Sequence, residues 1–554
     1  MRAPGAGLRS GLVSIPVVSS LRLMKPGRGW PAGAGFAIHA AITLLPVAAL
    51  AVVWLARFAA GDWSSLSWAV PSGRSLPLLA NSLALAVTVA AIASVLGAGL
   101  ALWIHNPSST LRRLVRRIYL VPLLLPPYLL ALIWMALVGR RQLVDQVIAL
   151  VIGPGRLSLS SYGFWSASIV LALALSPIVT FLVLLSLEAI EPELVEEASL
   201  LRPDRTVARK ILLPLVAPGI LAGAGLVFVL ALVEYGVPSV LQYNVYVMDI
   251  YASFSQDSDP LRAVAASMAL LVPAVAVVAG SRLLMRGDTL RGQPRRPLPI
   301  AISEWPVAAR AVVQLGVVAS LAAVAGPVLV LALRTGSPPV FLDAAAGAAG
   351  EIALTLGVAA VSATAAGFLA VAAAVWLGGN RRLGRMGWLM CAVPLAFPAP
   401  LTGIASIYLW NQPWFDWGYG TPFPLVMTHL ARLLPFALFG AAFQVSRIDP
   451  ILLEAASLHN VGWWKRAWRV RLPLLAPAIT ISWLVVFVLS LGELGASLMV
   501  APPGQATLAI RIYNYMHYGA TDVVAALSLV ILVAAALAGG AALAAARALW
   551  PRTA

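Results

Sequence analysis

Apolar residues in this chain come in long runs separated by short polar islands. Runs long enough to cross a ~30 Å hydrocarbon layer, which takes about 20 helical residues, lie near 35–58, 79–104, 118–138, 164–187, 216–236 and 262–283. Six more lie near 309–333, 352–377, 386–410, 423–445, 474–491 and 523–546. The pattern predicts an all-α membrane protein of about 12 transmembrane helices. An even number of spans puts both termini on one side and gives each half six.

Composition narrows the class. Hydrophobic residues make up 61% of the 554 and charged residues 11%, and the mean hydropathy is +0.91; these values belong to integral membrane proteins, not to a string of soluble domains. The single Cys391 excludes a disulfide framework and a multi-cysteine metal cluster. His39, His105, His429, His459 and His517 are scattered, with no pair at metal-ligand spacing. A formal charge of +17 could by itself point to nucleic acid or anionic lipid, but its placement argues for topology and membrane lipid, with no nucleic acid. Arg2, Arg9, Arg22, Lys25 and Arg28 precede the first span without an acid, so residues 1–34 read as a basic cytoplasmic tail and the first span as retained.

Basic residues orient the remaining loops. Arg112, Arg113, Arg116 and Arg117, then Arg202, Arg205, Arg209 and Lys210, then Arg381, Arg382 and Arg385, then Lys465, Arg466, Arg469 and Arg471 all fall between even and odd spans. The loop near 237–261 carries Asp249, Asp257 and Asp259 and no lysine or arginine; Arg140 and Arg141 are the departure from this scheme. The expected arrangement is a basic tail (1–34), a first transmembrane domain (35–285), a cytoplasmic linker (286–308) with Gly292, Pro294, Pro297 and Pro299, and a second transmembrane domain (309–548). It is multi-pass, with both termini cytoplasmic.

The halves repeat each other. Ile190-Glu191-Pro192, Glu196, Ala198 and Ser199 recur as Ile448-Asp449-Pro450, Glu454, Ala456 and Ser457 at an offset of 258, and Leu213-Pro214 with Pro218 recurs as Leu472-Pro473 with Pro477 at an offset of 259. Val121-Pro122-Leu123 with Pro126 returns as Val393-Pro394-Leu395 with Pro398, and Glu234-x-Gly236 returns as Glu493-x-Gly495. Six spans per half make the repeats parallel, related by a pseudo-twofold along the membrane normal. The prolines Pro122, Pro126, Pro127, Pro394, Pro398 and Pro400 predict kinks in the third and ninth spans.

One polar island alone would read as an amphipathic loop at the headgroups; two at matching positions predict a short cytoplasmic helix, a turn and a rigid lead into the next span. These islands resemble the cytoplasmic signature of the membrane subunits of type I ABC importers: Glu-Ala-Ala, three residues, Gly, nine residues, Ile, any residue, Leu-Pro. The second island matches through Glu454, Ala455, Ala456, Asn460 in place of glycine, Val470 in place of isoleucine, and Leu472-Pro473, with Gly462 two residues past the turn. The first reads Glu196, Glu197, Ala198, Arg202 where glycine is expected, and Leu213-Pro214 one residue early. Local features such as Ala80-Asn81-Ser82-Leu83, Leu123 to Tyr128 and Pro502-Pro503-Gly504 are similar to the fused two-half permeases of the iron(III) branch, whose relatives handle thiamine, polyamines and phosphonates.

The resemblance implies that each island's helix docks on a separate ABC ATPase subunit, the ATPases forming a pair that carries ATP and magnesium, and that an extracytoplasmic binding protein delivers the solute, with iron(III) the leading candidate. No cofactor is expected in this chain. Its three lysines, Lys25, Lys210 and Lys465, are followed by Pro, Ile and Arg, so none completes a phosphate-binding loop, which needs Lys followed by Ser or Thr. No hydrolase elbow or His-Glu-x-x-His motif suggests an enzyme. The rival is a secondary transporter without an ATPase, in which the islands are mere loops. Glu234, Tyr235, Glu493 and Arg432 are the pathway candidates. Each glutamate should lie near the outer end of its span, because Glu234 is twenty residues, about 30 Å of helix, beyond Pro214. Arg432 has no basic twin in the first half and needs an acceptor, Glu493 or backbone carbonyls. Those roles are open between structural pairing and solute contact.

Overall fold

The computed structural model describes residues 32–61, 67–106, 108–138, 146, 150, 160–257, 259–284, 298, 305–378, 393–415, 417–418, 420–446, 448, 465, 467–518 and 521–549. Among these, every regular element is a helix. The first half holds α1 (Ala32–Ala59), α2 (Ser75–His105), α3 (Thr110–Ile118), α4 (Val121–Leu124), α5 (Pro127–Leu137), α6 (Phe164–Ala189), α7 (Pro192–Leu201), α8 (Asp204–Val207), α9 (Leu213–Leu232), α10 (Gly236–Val240), α11 (Tyr246–Asp257) and α12 (Pro260–Leu284). The second holds α13 (Val307–Thr335), α14 (Pro338–Gly347), α15 (Ala349–Gly378), α16 (Ala399–Trp410), α17 (Phe423–Val445), α18 (Leu472–Leu491), α19 (Ser497–Val500), α20 (Leu508–His517) and α21 (Thr521–Leu549).

Ten of these helices are long and apolar enough to cross a membrane. The other two expected spans are broken, not merely kinked. Near 118–138 the chain turns by 101° between Thr110–Leu123 and Pro127–Leu137. Leu125 is extended (φ −87, ψ 133), as a residue before proline must be, and neither Pro126 nor Pro127 has an N–H to continue the ladder. The counterpart break precedes α16, where Pro398 takes φ −56, ψ 143; only 12 residues of that region form a described helix, because 379–392 lie outside the described residues.

Each half is built around three mutually packed helices, α2, α6 and α9 in the first and α15, α17 and α18 in the second. The opening helix of each half leaves its own half and packs on the other. Helix α1 lies against α15, α16 and α17, while α13 lies against α2, α4, α5 and α6. The closing helices seal these exchanges, α12 touching α9 and α1, and α21 touching α18 and α13. Small residues allow the crossings. A Cβ on Gly35 of α1 would come within 2.5 Å of the Ala372 Cβ, and next to it Phe36 stacks on Trp376 at 4.0 Å. Where α13 crosses α2 two glycines face each other: a Cβ on Gly316 would sit 2.5 Å from the Leu96 carbonyl oxygen and 2.9 Å from the Leu100 nitrogen, and one on Gly99 2.8 Å from the Val312 carbonyl oxygen.

Of the linker, Leu298 is described. It is buried, and its N–H donates to His105 Nε2 at 3.0 Å, so this point of the connection is seated on the end of α2.

Gly316→Leu should therefore overpack a backbone-to-backbone crossing and cost about 2 kcal/mol, read as a lower melting temperature in detergent. Gly326→Leu on the same helix, where a Cβ would meet nothing within 4 Å, should leave the melting temperature unchanged or raise it.

Candidate functional site

Two groups of residues stand out, one at each end of α9. At its beginning is the first island. Pro192 starts α7 at a position where no N–H is needed, Glu193 in the first turn suits the helix dipole, and the helix stops at Arg202 because Pro203 follows. Arg202 has φ −144, ψ 150, an extended conformation open to any residue, so the absence of glycine there carries no strain. Helix α7 rests on buried Pro192 and Val195 and presents Glu193, Leu194, Glu196 and Glu197 outward, with Ala198 partly covered. Leu200 and Leu201 are 86% and 81% exposed, an apolar tip beside two carboxylates.

From α7 the chain runs through α8 into a five-residue π-helical turn, Ala208–Leu212, in which the Leu213 N–H reaches back to the Ala208 carbonyl, and then into α9. A second π turn of the same length, Ala467–Arg471, leads into α18. Each precedes a Leu-Pro pair, Leu213-Pro214 and Leu472-Pro473. The ring of a proline clashes with the carbonyl four residues back, so widening the ladder by one residue at this point relieves both helices in the same way. The end of α6, next to α7, is pinned by Glu188, whose Oε1 accepts from Arg116 at 2.7 Å; Arg116 also donates to the Ile104 and His105 carbonyls. Glu454, Ala455, Ala456, Asn460 and Gly462 lie outside the described residues.

At the other end of α9 lies the second group, separated from the first by the twenty residues of that helix, about 30 Å. Helix α9 ends at Leu232 and α18 at Leu491, and each is followed by a Glu-x-Gly turn. Glu234 Oε1 accepts from the Gly236 N–H at 2.9 Å and the Val237 N–H at 3.4 Å. Glu493 Oε1 accepts from the Ala496 N–H at 3.0 Å. Both carboxylates thus cap freed amides of the short helices α10 and α19. The glycines let these turns pack on the broken spans: a Cβ on Gly236 would be 3.3 Å from the Tyr128 Cβ, and one on Gly495 2.6 Å from the Ala399 Cβ. Across the seam between halves a Cβ on Gly492 would overlap the Pro126 ring.

The acceptor Arg432 requires is Glu493, whose Oε2 lies 2.8 Å from Arg432 Nε. Glu493 is buried and Arg432 largely so, and Arg432 is also close enough to Glu234 for its charge to act there. One turn earlier on α17, His429 is buried and bridges two hydroxyls, Ser490 through Nδ1 at 2.6 Å and Ser497 through Nε2 at 2.9 Å. Tyr235 is buried, its ring 5.6 Å from that of Tyr251; close by, Tyr513 of the second half meets Ser239 at 2.9 Å. The structure therefore gathers Glu234, Tyr235, Arg432 and Glu493 at the seam, and keeps them away from Glu196, Glu197 and Ala198. The sequence reading missed Tyr128, Tyr513 and the Pro126–Gly492 contact. The signals available were the Pro126-Pro127-Tyr128 break and the glycine preceding Glu493.

Against this geometry stand the comparisons with known proteins. The family described as binding-protein-dependent transport system inner membrane component matches residues 93–286 and again 364–553. The putrescine transport system permease protein PotI of Escherichia coli (strain K12) is 30% identical over 193 residues, which is 34% of this chain and 69% of PotI. The putative 2-aminoethylphosphonate transport system permease protein PhnV of Salmonella typhimurium (strain LT2) is 29% identical over 140 residues, 25% of this chain and 52% of PhnV. The spermidine/putrescine transport system permease protein PotC of Escherichia coli (strain K12) is 28% identical over 109 residues, 20% of this chain and 41% of PotC.

Replacing Arg432 by Met strips the compensating charge from a buried carboxylate and should cost about 3 kcal/mol of stability. Adding Glu493→Gln, which keeps an oxygen for the Ala496 N–H but removes the charge, should recover most of that loss. Thermal unfolding of the single and double variants in one detergent checks both statements.

Proposed function

This chain belongs to the family of binding-protein-dependent transport system inner membrane components, and we propose that it forms the whole translocation pathway of an ATP-driven importer from two fused halves. It is a multi-pass inner-membrane transport subunit. In this reading residues 35–285 and 309–548 are the two permease domains, joined by a linker at 286–308 that shares the cytoplasm with both termini. ATP hydrolysis belongs to a separate pair of ATPase subunits, which carry the nucleotide and magnesium, and a binding protein on the other face delivers the solute.

The observation that carries this reading is helix α7. It exposes three leucines and three glutamates, a combination suited to a groove with an apolar floor and basic or amide edges. It is also rooted: a π turn and a Leu-Pro pair join it to α9, so displacement at its tip is delivered to α9 instead of being lost in a loop. The matching π turn before α18 supports an equivalent lever in the second half, built on Glu454, Ala455, Ala456, Asn460 and Gly462. Closure of the ATPase pair would push both levers, and the ends of α9 and α18, with Glu234 and Glu493, would move against each other at the seam. A secondary transporter has no use for an exposed apolar tip on a braced helix.

The relatives named above carry polyamines and a phosphonate in their names. A polyamine is accordingly the favoured cargo.

Leu200→Asp with Leu201→Asp, or Glu196→Lys with Glu197→Lys, should abolish co-purification of the ATPase while the permease still inserts and retains its melting temperature, since neither pair supports the interior. Retention of the ATPase at the unmodified level by both variants would refute the docking role of α7.

A further inference from the structure

The two Glu-x-Gly turns differ in one respect. Each glutamate uses Oε1 to cap its own turn, but Oε2 of Glu493 holds Arg432 whereas no side-chain cation pairs with Glu234 among the described residues. The reason lies in the sequence. Pro177 inside α6 corresponds to Pro435 inside α17, which aligns Arg432 with Ala174 and His429 with Leu171, both apolar and buried. The first half thus has the carboxylate without its arginine, and the shared neighbour Arg432 is already engaged by Glu493.

A second orphan lies alongside. Tyr128, at the start of α5, packs its Cβ against Gly236, is 3% exposed, and has a buried hydroxyl without a hydrogen-bond partner. It is also near enough to Glu493 to sense that charge. Buried polar atoms are ordinarily paired, and an unpaired one in a protein of this packing asks for an explanation. Two carboxylates and one guanidinium therefore lie at the seam, with an unpartnered phenol packed beside the Gly236 turn.

We propose that this is where the pathway receives a protonated amino group of its solute, the ammonium donating to the free oxygen of Glu234 and to the Tyr128 hydroxyl oxygen. Arg432 plays for Glu493 the part that the solute plays for Glu234, a cation built into one half and borrowed by the other. An anionic solute would find only carboxyl and phenol oxygens at the same point, with the one guanidinium already engaged by Glu493. This assignment rests on the permease reading and adds to it the solute's charge class. Because Glu234 and Tyr128 belong to one half and Arg432 and Glu493 to the other, a bound amine sits on the surface along which the halves move.

The test uses the full chain in nanodiscs of neutral lipid and calorimetric titration with putrescine as the probe, for the unmodified protein, Glu234→Gln and Tyr128→Phe. Glutamine retains an oxygen for the Gly236 and Val237 amides, so the turn survives and only the charge is lost. Phenylalanine removes a hydroxyl that nothing holds, so the melting temperature should stay the same or rise. The unmodified protein should bind putrescine and not propionate, Glu234→Gln should weaken binding about tenfold or more, as loss of a charge-assisted hydrogen bond does, and Tyr128→Phe should weaken it a few-fold without loss of stability. Equal affinity in all three proteins, no putrescine binding by the unmodified protein, or suppression of the heat by sodium chloride at matched ionic strength would overturn the proposal. Co-purification of the ATPase with the same preparations separates the two readings: a permease that recruits the ATPase yet ignores putrescine sinks this assignment alone, and one that recruits no ATPase sinks the importer reading beneath it.

Discussion

In hydrocarbon a backbone can leave the helix only where something other than water takes its amides and carbonyls, and the architecture of this chain follows from where it meets that condition. The helices break after Leu124 and before Ala399, at prolines, and α9 and α18 end at Leu232 and Leu491. All four discontinuities are joined by direct contact: Pro126 against Gly492, Tyr128 against Gly236, and Ala399 against Gly495. None faces lipid alone. The carboxylates of Glu234 and Glu493 satisfy the amides freed by their own turns, so the residues that make the breaks tolerable are also the ones that charge the seam. Irregular backbone, charge and interface are one feature.

Much of this was legible beforehand because the signals are local. Long apolar runs located the spans, and the 258 to 259 residue repeat identified two parallel halves. The offset of 259 is reproduced in the fold, in π turns and helices of equal length before and within α9 and α18. That Arg432 needs an acceptor was legible because a lone arginine in an apolar helix demands one; of the two on offer, Glu493 and backbone carbonyls, the structure supplies Glu493. What stayed hidden was non-local. Proline spacing announces a disturbance, but a kink and a 101° turn have the same sequence signature, since the difference depends on what receives the freed groups. Tyr128 looked like an ordinary residue of a Pro-Pro-Tyr segment, and only its placement under Gly236 with an empty hydroxyl gives it meaning. The exchange of α1 and α13 was equally invisible, because glycines such as Gly35, Gly99 and Gly316 say that something comes close without saying what.

The halves share a scaffold and have diverged in what they place on it. Pro177 and Pro435, the π turns and the Glu-x-Gly turns are common, whereas Ala174 and Leu171 in one half occupy the positions of Arg432 and His429 in the other. A duplicated pore built from two identical halves would carry either two ion pairs or two free carboxylates at the axis. Fusion in a single chain removes that constraint, and the seam here carries one of each.

The exchange of first helices has a consequence for biosynthesis. Helix α1 finishes at Ala59, yet its principal partner α15 begins at Ala349, so roughly 290 residues must be translated before the ribosome delivers its neighbour. At about 5–20 residues per second the nascent helix waits on the order of 15 to 60 s in the lipid with its Gly35 and Phe36 surface unclaimed. Its tolerance of that interval depends on being apolar over most of its surface, with Leu45, Val52 and Leu55 still facing outward in the finished protein, and on an insertion machinery that holds early segments nearby until the late ones arrive.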